Sequence, residues 1–182
     1  MKNLKLFLSA VFVLLLFNSC ENEEDLFIEE PNTDLSARIG NESIIRGEII
    51  TFGRYYGKCQ GVTCVEIFKL SDFTLLEDTL DRYPVSGSFY HGKFVNFKGS
   101  DKIITSDILS NFPLELLDSK SIIYGTPDAG DWGGIYLEYK DGNHHRYWFL
   151  DLKTNNIPKH LRAYVALIDK KITLIGEINN LN

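Results

Sequence analysis

Apolar positions along the chain first cluster as strands and then shift to a helical period near the C-terminus. Residues 44–52 (IIRGEIITF) are dense in β-branched and aromatic side chains, which suit a pleated surface, and predict a strand with a bulge at Gly47. Residues 53–61 are a glycine-punctuated connection, and residues 64–70 alternate well enough to predict a second strand. Residues 89–97 (FYHGKFVNF) predict a third, with a glycine interruption. Ser106 is expected to cap a helix in which Ile108, Leu109 and Phe112 share a face. Pro113 cannot continue that helix, because it has no N–H to donate, but it suits the first position of another short one through Leu117. Residues 122–124 predict a short strand before a loop.

The strongest supersecondary signal follows. Residues 135–140 and 144–150 flank Asp141-Gly142-Asn143, a hairpin turn signal because glycine tolerates positive φ. Asn156 is then expected to cap a helix opening near Pro158. Leu161, Tyr164, Val165, Ile168, Ile172 and Ile175 fall at spacings 0, 3, 4, 7, 11 and 14, one continuous apolar stripe. Laid across a sheet, that stripe buries about 2 kcal/mol of apolar surface per large side chain. The expected fold class is α+β: a small antiparallel sheet, short central helices and a long C-terminal helix packed on it.

Ahead of this domain the pattern is different. Lys2 and Lys5 precede residues 6–17, an almost wholly apolar run of 12 residues. A bilayer core needs roughly 20 helical residues, so a positive start and a short apolar run predict a secretory signal. Phe17-Asn18-Ser19-Cys20 resembles the lipobox of bacterial lipoproteins, in which the cysteine is acylated and becomes the N-terminus; Phe17 and Asn18 depart from the usual aliphatic and small residues. Acyl chains on Cys20 would contribute about 0.8 kcal/mol per buried CH₂ and hold the protein on a membrane. The alternative is ordinary cleavage that leaves Cys20 a free thiol. Residues 21–30 then carry six acids, followed by Pro31-Asn32-Thr33-Asp34. Like charges extend a chain, so this segment reads as a tether, and its acidity resembles the surface-export signal of Bacteroidetes lipoproteins. The expected organisation is a signal peptide over residues 1–19, a lipidated cysteine and tether over 20–36, and one domain over 37–182.

Charge narrows the partners. The 182 residues carry a formal net charge of −6, and residues 1–19 contain two lysines and no acid, so the mature chain is more acidic still. That balance argues against nucleic acid, which needs a concentrated basic surface, and against electrostatic adhesion to anionic lipid.

Cys59 and Cys64 are the other two thiols, in a compartment that permits disulfides, and a bridge across so short a loop constrains the unfolded chain by about 2 kcal/mol. A zinc half-site and a redox pair are the competing readings. Zinc usually takes four ligands and no second Cys pair exists; a redox pair normally has a two-residue spacer at a helix N-terminus. His144 and His145 are adjacent on a predicted strand, where neighbours face opposite ways, and are expected to make cross-strand charge pairs. His91 and His160 are expected at the surface or rim. No Gly-x-Ser-x-Gly, His-Glu-x-x-His or comparable catalytic element occurs. Residues 125–134 combine four glycines, Pro127, Asp128, Asp131 and Trp132. Glycines admit close approach to a ligand, and tryptophan is enriched where binding energy concentrates, so Asp128, Asp131 and Trp132 are the candidate binding residues. Two alternatives stand beside this: Trp132 closing the edge of the core, and the two carboxylates taking calcium, although calcium wants six to eight oxygens.

Residues 57–64 (GKCQGVTC), together with residues 126–134 (TPDAGDWGG) leading into a hairpin and terminal helix, resemble an uncharacterised family of small Bacteroidetes envelope lipoproteins. The resemblance spans roughly residues 48–175. Members carry an early glycine-flanked Cys pair, here wider by a residue, and a late second pair where this chain has Thr126 and Ala129. It implies compartment and architecture and supplies no catalytic residues. The expected protein is an outer-membrane lipoprotein, held on the membrane by its lipid, without a cofactor, and acting as a non-catalytic binding module for an unknown protein or small molecule. An inhibitor or immunity-type protective protein is the first alternative, since an acidic surface suits a basic partner, and an envelope hydrolase or redox enzyme is the second.

Overall fold

The computed structural model describes residues 47–61, 63–71, 74–99 and 105–179. The expected signal peptide over residues 1–19, Cys20 and the expected tether through residue 36 lie outside the described residues.

Ten elements follow in order: β1 (Ile49–Tyr55), β2 (Val65–Ser71), β3 (Thr74–Asp78), β4 (Phe94–Asn96), α1 (Ser106–Ser110), α2 (Glu115–Asp118), β5 (Ile123–Tyr124), β6 (Gly134–Lys140), β7 (His145–Asp151) and α3 (Lys159–Asn179). They build the α+β architecture expected from the pattern: one seven-stranded sheet in the order β4-β3-β2-β1-β6-β7-β5, with the long α3 packed on it. Neighbours pair antiparallel except β5 and β7, where Ile123 lies opposite Phe149 and Tyr124 opposite Leu150 in parallel. The sheet is therefore mixed rather than purely antiparallel. A loop returns the chain from β5 into β6, and β7 reverses direction again, so β7 must run with β5.

One face of the sheet carries Ile50, Phe52, Phe68, Leu137, Trp148 and Leu150, all essentially inaccessible, against the α3 stripe. All six stripe residues from Leu161 to Ile175 are buried. Polar ties fix how the helix lies. Arg54 on β1 donates to Asp169 on α3 at 3.1 Å and to Glu66 on β2 at 3.0 Å, and Lys171 pairs with Asp107 of α1 at 2.8 Å. The Tyr164 hydroxyl donates to the Ile108 carbonyl at 3.1 Å. Arg146 donates to the carbonyls of Leu117 and Ser119, which seats α2 against β7.

Several local expectations are corrected. Gly47 precedes β1 in a turn with φ of +111° and makes no bulge. Ser106 is inside α1, whose cap position is Thr105 with no side-chain bond. Asn156 does not cap α3: it ends a short 3₁₀ turn, and its amide donates to Asp151 at 2.8 Å. The hairpin turn forms without a positive φ at Gly142; the Asp141 carboxylate instead accepts from the N–H groups of Asn143 and His144. Those donors, joined by the His144 ring, outweigh burial and hold the Asp141 carboxyl down at about 2.

Only residues 94–96 of the predicted 89–97 strand pair in the sheet. Side chains have taken two of the backbone donors ahead of them, while the Phe97 N–H still donates to the Leu75 carbonyl at 3.0 Å. The Tyr90 N–H goes to the Tyr136 hydroxyl (3.0 Å) and Glu138 (3.1 Å), and the Lys93 N–H goes to Asp78 at 2.5 Å. A Cβ at Gly92 would collide with the Asp78 carboxylate and the Phe94 ring, so this segment passes too closely for another residue type. Residues 79–93 consequently cross over the sheet instead of extending it.

Candidate functional site

Strand alternation places a second set of side chains on the face away from α3: Tyr55 from β1, Val65 and Ile67 from β2, Tyr136 from β6, and Tyr147 and Phe149 from β7. In an antiparallel sheet with one covered face these positions would be polar. Here they form an aromatic floor, with Tyr136 and Phe149 edge-to-face at 5.6 Å and Tyr136 and Tyr147 stacked at 6.2 Å.

The crossing segment, residues 79–93, is stapled over that floor. Its Tyr90 ring packs on Tyr136 with centroids 5.7 Å apart, the Gly87 N–H donates to the Tyr147 hydroxyl at 2.8 Å, and the Thr79 N–H donates to the Lys93 carbonyl at 3.0 Å. Phe89 stacks on the His145 imidazole at 3.6 Å, and His145 bonds Glu138 at 2.9 Å. Between segment and floor lies a pocket of about 170 Å³, lined by residues 82–85, 88–91 and Tyr136.

Three tyrosines of this pocket share one arrangement. Tyr83 donates its hydroxyl to Asp128 at 2.8 Å, Tyr90 donates to Asp78 at 2.6 Å, and Tyr136 donates to Glu138 at 2.5 Å. Burial, reinforced by the carboxylates, pushes the Tyr83 phenol up to about 12 and raises those of Tyr90 and Tyr136 further. All three are thus neutral donors throughout the physiological range, each with a negative charge behind its hydroxyl.

The loop singled out from sequence lies beside this pocket and meets it through one residue. Asp128 sits at φ +59°, accepts from the Gly133 N–H at 3.1 Å as well as from Tyr83, and is braced by Gly57, where a Cβ would strike its carboxylate. Asp131 points elsewhere, to Lys58 at 3.5 Å. Trp132 does not close the core: it is 45% exposed, with the Lys153 ammonium 3.0 Å over its ring. Among the described residues no group of three or more His, Cys, Asp or Glu side chains is placed to hold a metal ion. Cys59 and Cys64 are joined as a disulfide with Cα atoms 5.4 Å apart, closing the turn that feeds β2. Because Trp132 is half out of the protein, Trp132→Ala is expected to cost under about 1 kcal/mol, the scale of an exposed cation–π contact. Thermal denaturation checks this, and a loss near 3 kcal/mol would return the indole to the core.

Tyr83, Tyr90 and Tyr136 were not among the sequence-derived candidates. A signal for the floor existed: β6 (GIYLEYK) and β7 (HRYWFLD) are apolar or aromatic at both parities, the mark of a strand covered on both faces. Leu80, Tyr83 and Val85 add exposures of 42%, 45% and 60% along the crossing segment, more apolar surface than a simple connection needs. His145, expected in a cross-strand charge pair, hydrogen-bonds Glu138, two residues along β6 from its direct partner Lys140.

No protein-family model matches the chain, and no curated protein matches it significantly.

Proposed function

We propose that the protein is a lipoprotein of the cell envelope, anchored in the outer membrane through acylated Cys20, whose domain works as a non-catalytic binding module. The small ligand enters the pocket between the crossing segment and the aromatic floor. The observation that carries the binding reading is the pocket itself: a concave site walled by Tyr83, Phe89, Tyr90 and Tyr136, bordered by exposed apolar residues. The Cys59–Cys64 bridge supports an oxidising compartment, since such bonds persist outside the cytosol. Attachment is assigned to the lipid on Cys20 from the order of a charged start, a short apolar run and the Ser19-Cys20 junction. A binding role is favoured over catalysis because, among the described residues, the His145–Glu138 pair beside the pocket is engaged structurally. Glu138 already accepts from Tyr136, from the Tyr90 N–H and from His145, and the imidazole lies stacked on Phe89. A general base needs free access to a substrate proton.

Two measurements test this. Labelled palmitate should enter the wild-type protein and not Cys20→Ser; equal uptake ends the lipoprotein reading. Small-molecule fractions of envelope extract should raise the melting temperature of the purified full-length protein, by the mass-action term for a ligand of the native state, more than that of a Tyr83→Ala/Phe89→Ala double variant. If no fraction separates the two proteins, the pocket is not a ligand site.

A further inference from the structure

The pocket's chemistry specifies its ligand more closely, on the premise that it is a binding site. Tyr83, Phe89 and Tyr90 line it as exposed or partly exposed residues, with the buried Tyr136 behind them, and aromatic faces attract cations through the ring quadrupole. A phenol that donates to a carboxylate gains electron density on oxygen and ring, and Tyr83, Tyr90 and Tyr136 each do so. Three carboxylates thus stand behind the walls. The rim bears the opposite sign. Arg82 lines the same pocket and forms no ion pair among the described residues, and His91 lies beside it in the lining, likewise without one. A plain anion would meet the carboxylates behind the rings, whereas a plain cation would leave Arg82 unanswered. Size limits the guest further. A cavity of ~150 Å³ takes a benzene-sized molecule, so about 170 Å³ admits one compact head group with a short tail.

We propose that the pocket binds a small betaine-type zwitterion, its alkylated ammonium against the rings of Tyr83, Phe89 and Tyr90 and its attached carboxylate or phosphate at Arg82.

Calorimetry on the purified full-length protein with four probes decides it. Glycine betaine and phosphocholine carry both charges, 3,3-dimethylbutanoate replaces the ammonium of betaine by carbon at the same shape, and tetramethylammonium lacks the anion. At least one zwitterion is expected to bind about tenfold or more tighter than 3,3-dimethylbutanoate, the scale of desolvated cation–π contact. Preference for betaine identifies a free solute, and preference for phosphocholine a head group. Phe89→Ala, at a partly exposed ring, should lower the affinity about tenfold with a near-native melting temperature. Arg82→Gln should weaken the zwitterion severalfold and leave tetramethylammonium unchanged, an effect that loss of folding would not produce. Equal binding of 3,3-dimethylbutanoate, or no binding of either zwitterion, overturns the proposal. If envelope fractions still stabilise the wild type over the double variant, only the ligand class falls; if they too fail, the binding-module reading falls with it.

Discussion

Ile168→Asp is expected to abolish the fold. Ile168 is fully buried at the middle of the α3 stripe, where it meets the sheet core. The substitution removes about 2 kcal/mol of apolar burial and adds an unpaired carboxylate that must stay protonated or draw water into the interior. Together these rival the 5–15 kcal/mol that holds an ordinary domain. Circular dichroism and soluble yield should show an unfolded or aggregated chain, with Ile168→Val losing only ~1 kcal/mol as the control. A soluble aspartate variant melting near the wild type would mean that the stripe faces water.

The second large effect belongs to Asp151. This carboxylate, at the end of β7, is inaccessible and accepts from the Thr126 N–H at 3.0 Å, the Thr126 hydroxyl at 3.2 Å, the Lys153 N–H at 2.8 Å and the Asn156 amide at 2.8 Å. It is the post that ties the start of the 126–134 loop and the approach to α3 to the sheet. Asp151→Ala strands these donors, at an expected cost of about 3 kcal/mol or more, and denaturant unfolding should record it. A change below about 1 kcal/mol would show that water replaces the carboxylate without loss. A pH dependence follows with a definite sign. Burial tends to raise the Asp151 carboxyl, but the hydrogen bonds from Asn156, Thr126 and Lys153 outweigh it and leave the folded value below the ordinary one. A depressed carboxyl contributes stability that is complete above the unfolded value of about 4 and is lost as pH falls through the lower folded value. Asp141, held at about 2, acts in the same direction. Wild-type stability should therefore decline from about pH 4 downward, and the decline should be shallower in Asp151→Ala.

Much of the architecture was legible in the amino-acid order because it depends on local period. The α3 stripe repeats over four turns, and a face that regular buries itself on whatever sheet is present. The hairpin of β6 and β7 was legible for a similar reason, a turn signal between two β-rich runs, although the turn closes through the Asp141 carboxylate rather than through glycine. Strand β3 was missed, being five residues with no bounding turn signal strong enough to set it apart from β2. The capping expectations at Ser106 and Asn156 failed at the same level: a capping residue type permits a cap, but the Asn156 amide is claimed by the Asp151 carboxylate five residues earlier.

The site divides along the same line. Asp128, within the candidate loop, was reachable from composition alone, since glycines beside an acid and an aromatic are an unusual local combination. Its pocket partner Tyr83 lies 45 residues away, and nothing local to either residue specifies the other. The same holds for the Tyr90–Tyr136 and Tyr90–Glu138 contacts, which exist because residues 79–93 turn back across a face of the sheet instead of adding a strand. By itself, the sequence determined the period of the hairpin strands and of α3, the sign of the net charge and the closeness of Cys59 to Cys64, since each is written within a few consecutive residues or in the composition. Only the tertiary structure decided which carboxylate stands behind which phenol, because hydrogen bonds and ring contacts act over a few ångströms, and chain crossing brings distant residues within that reach.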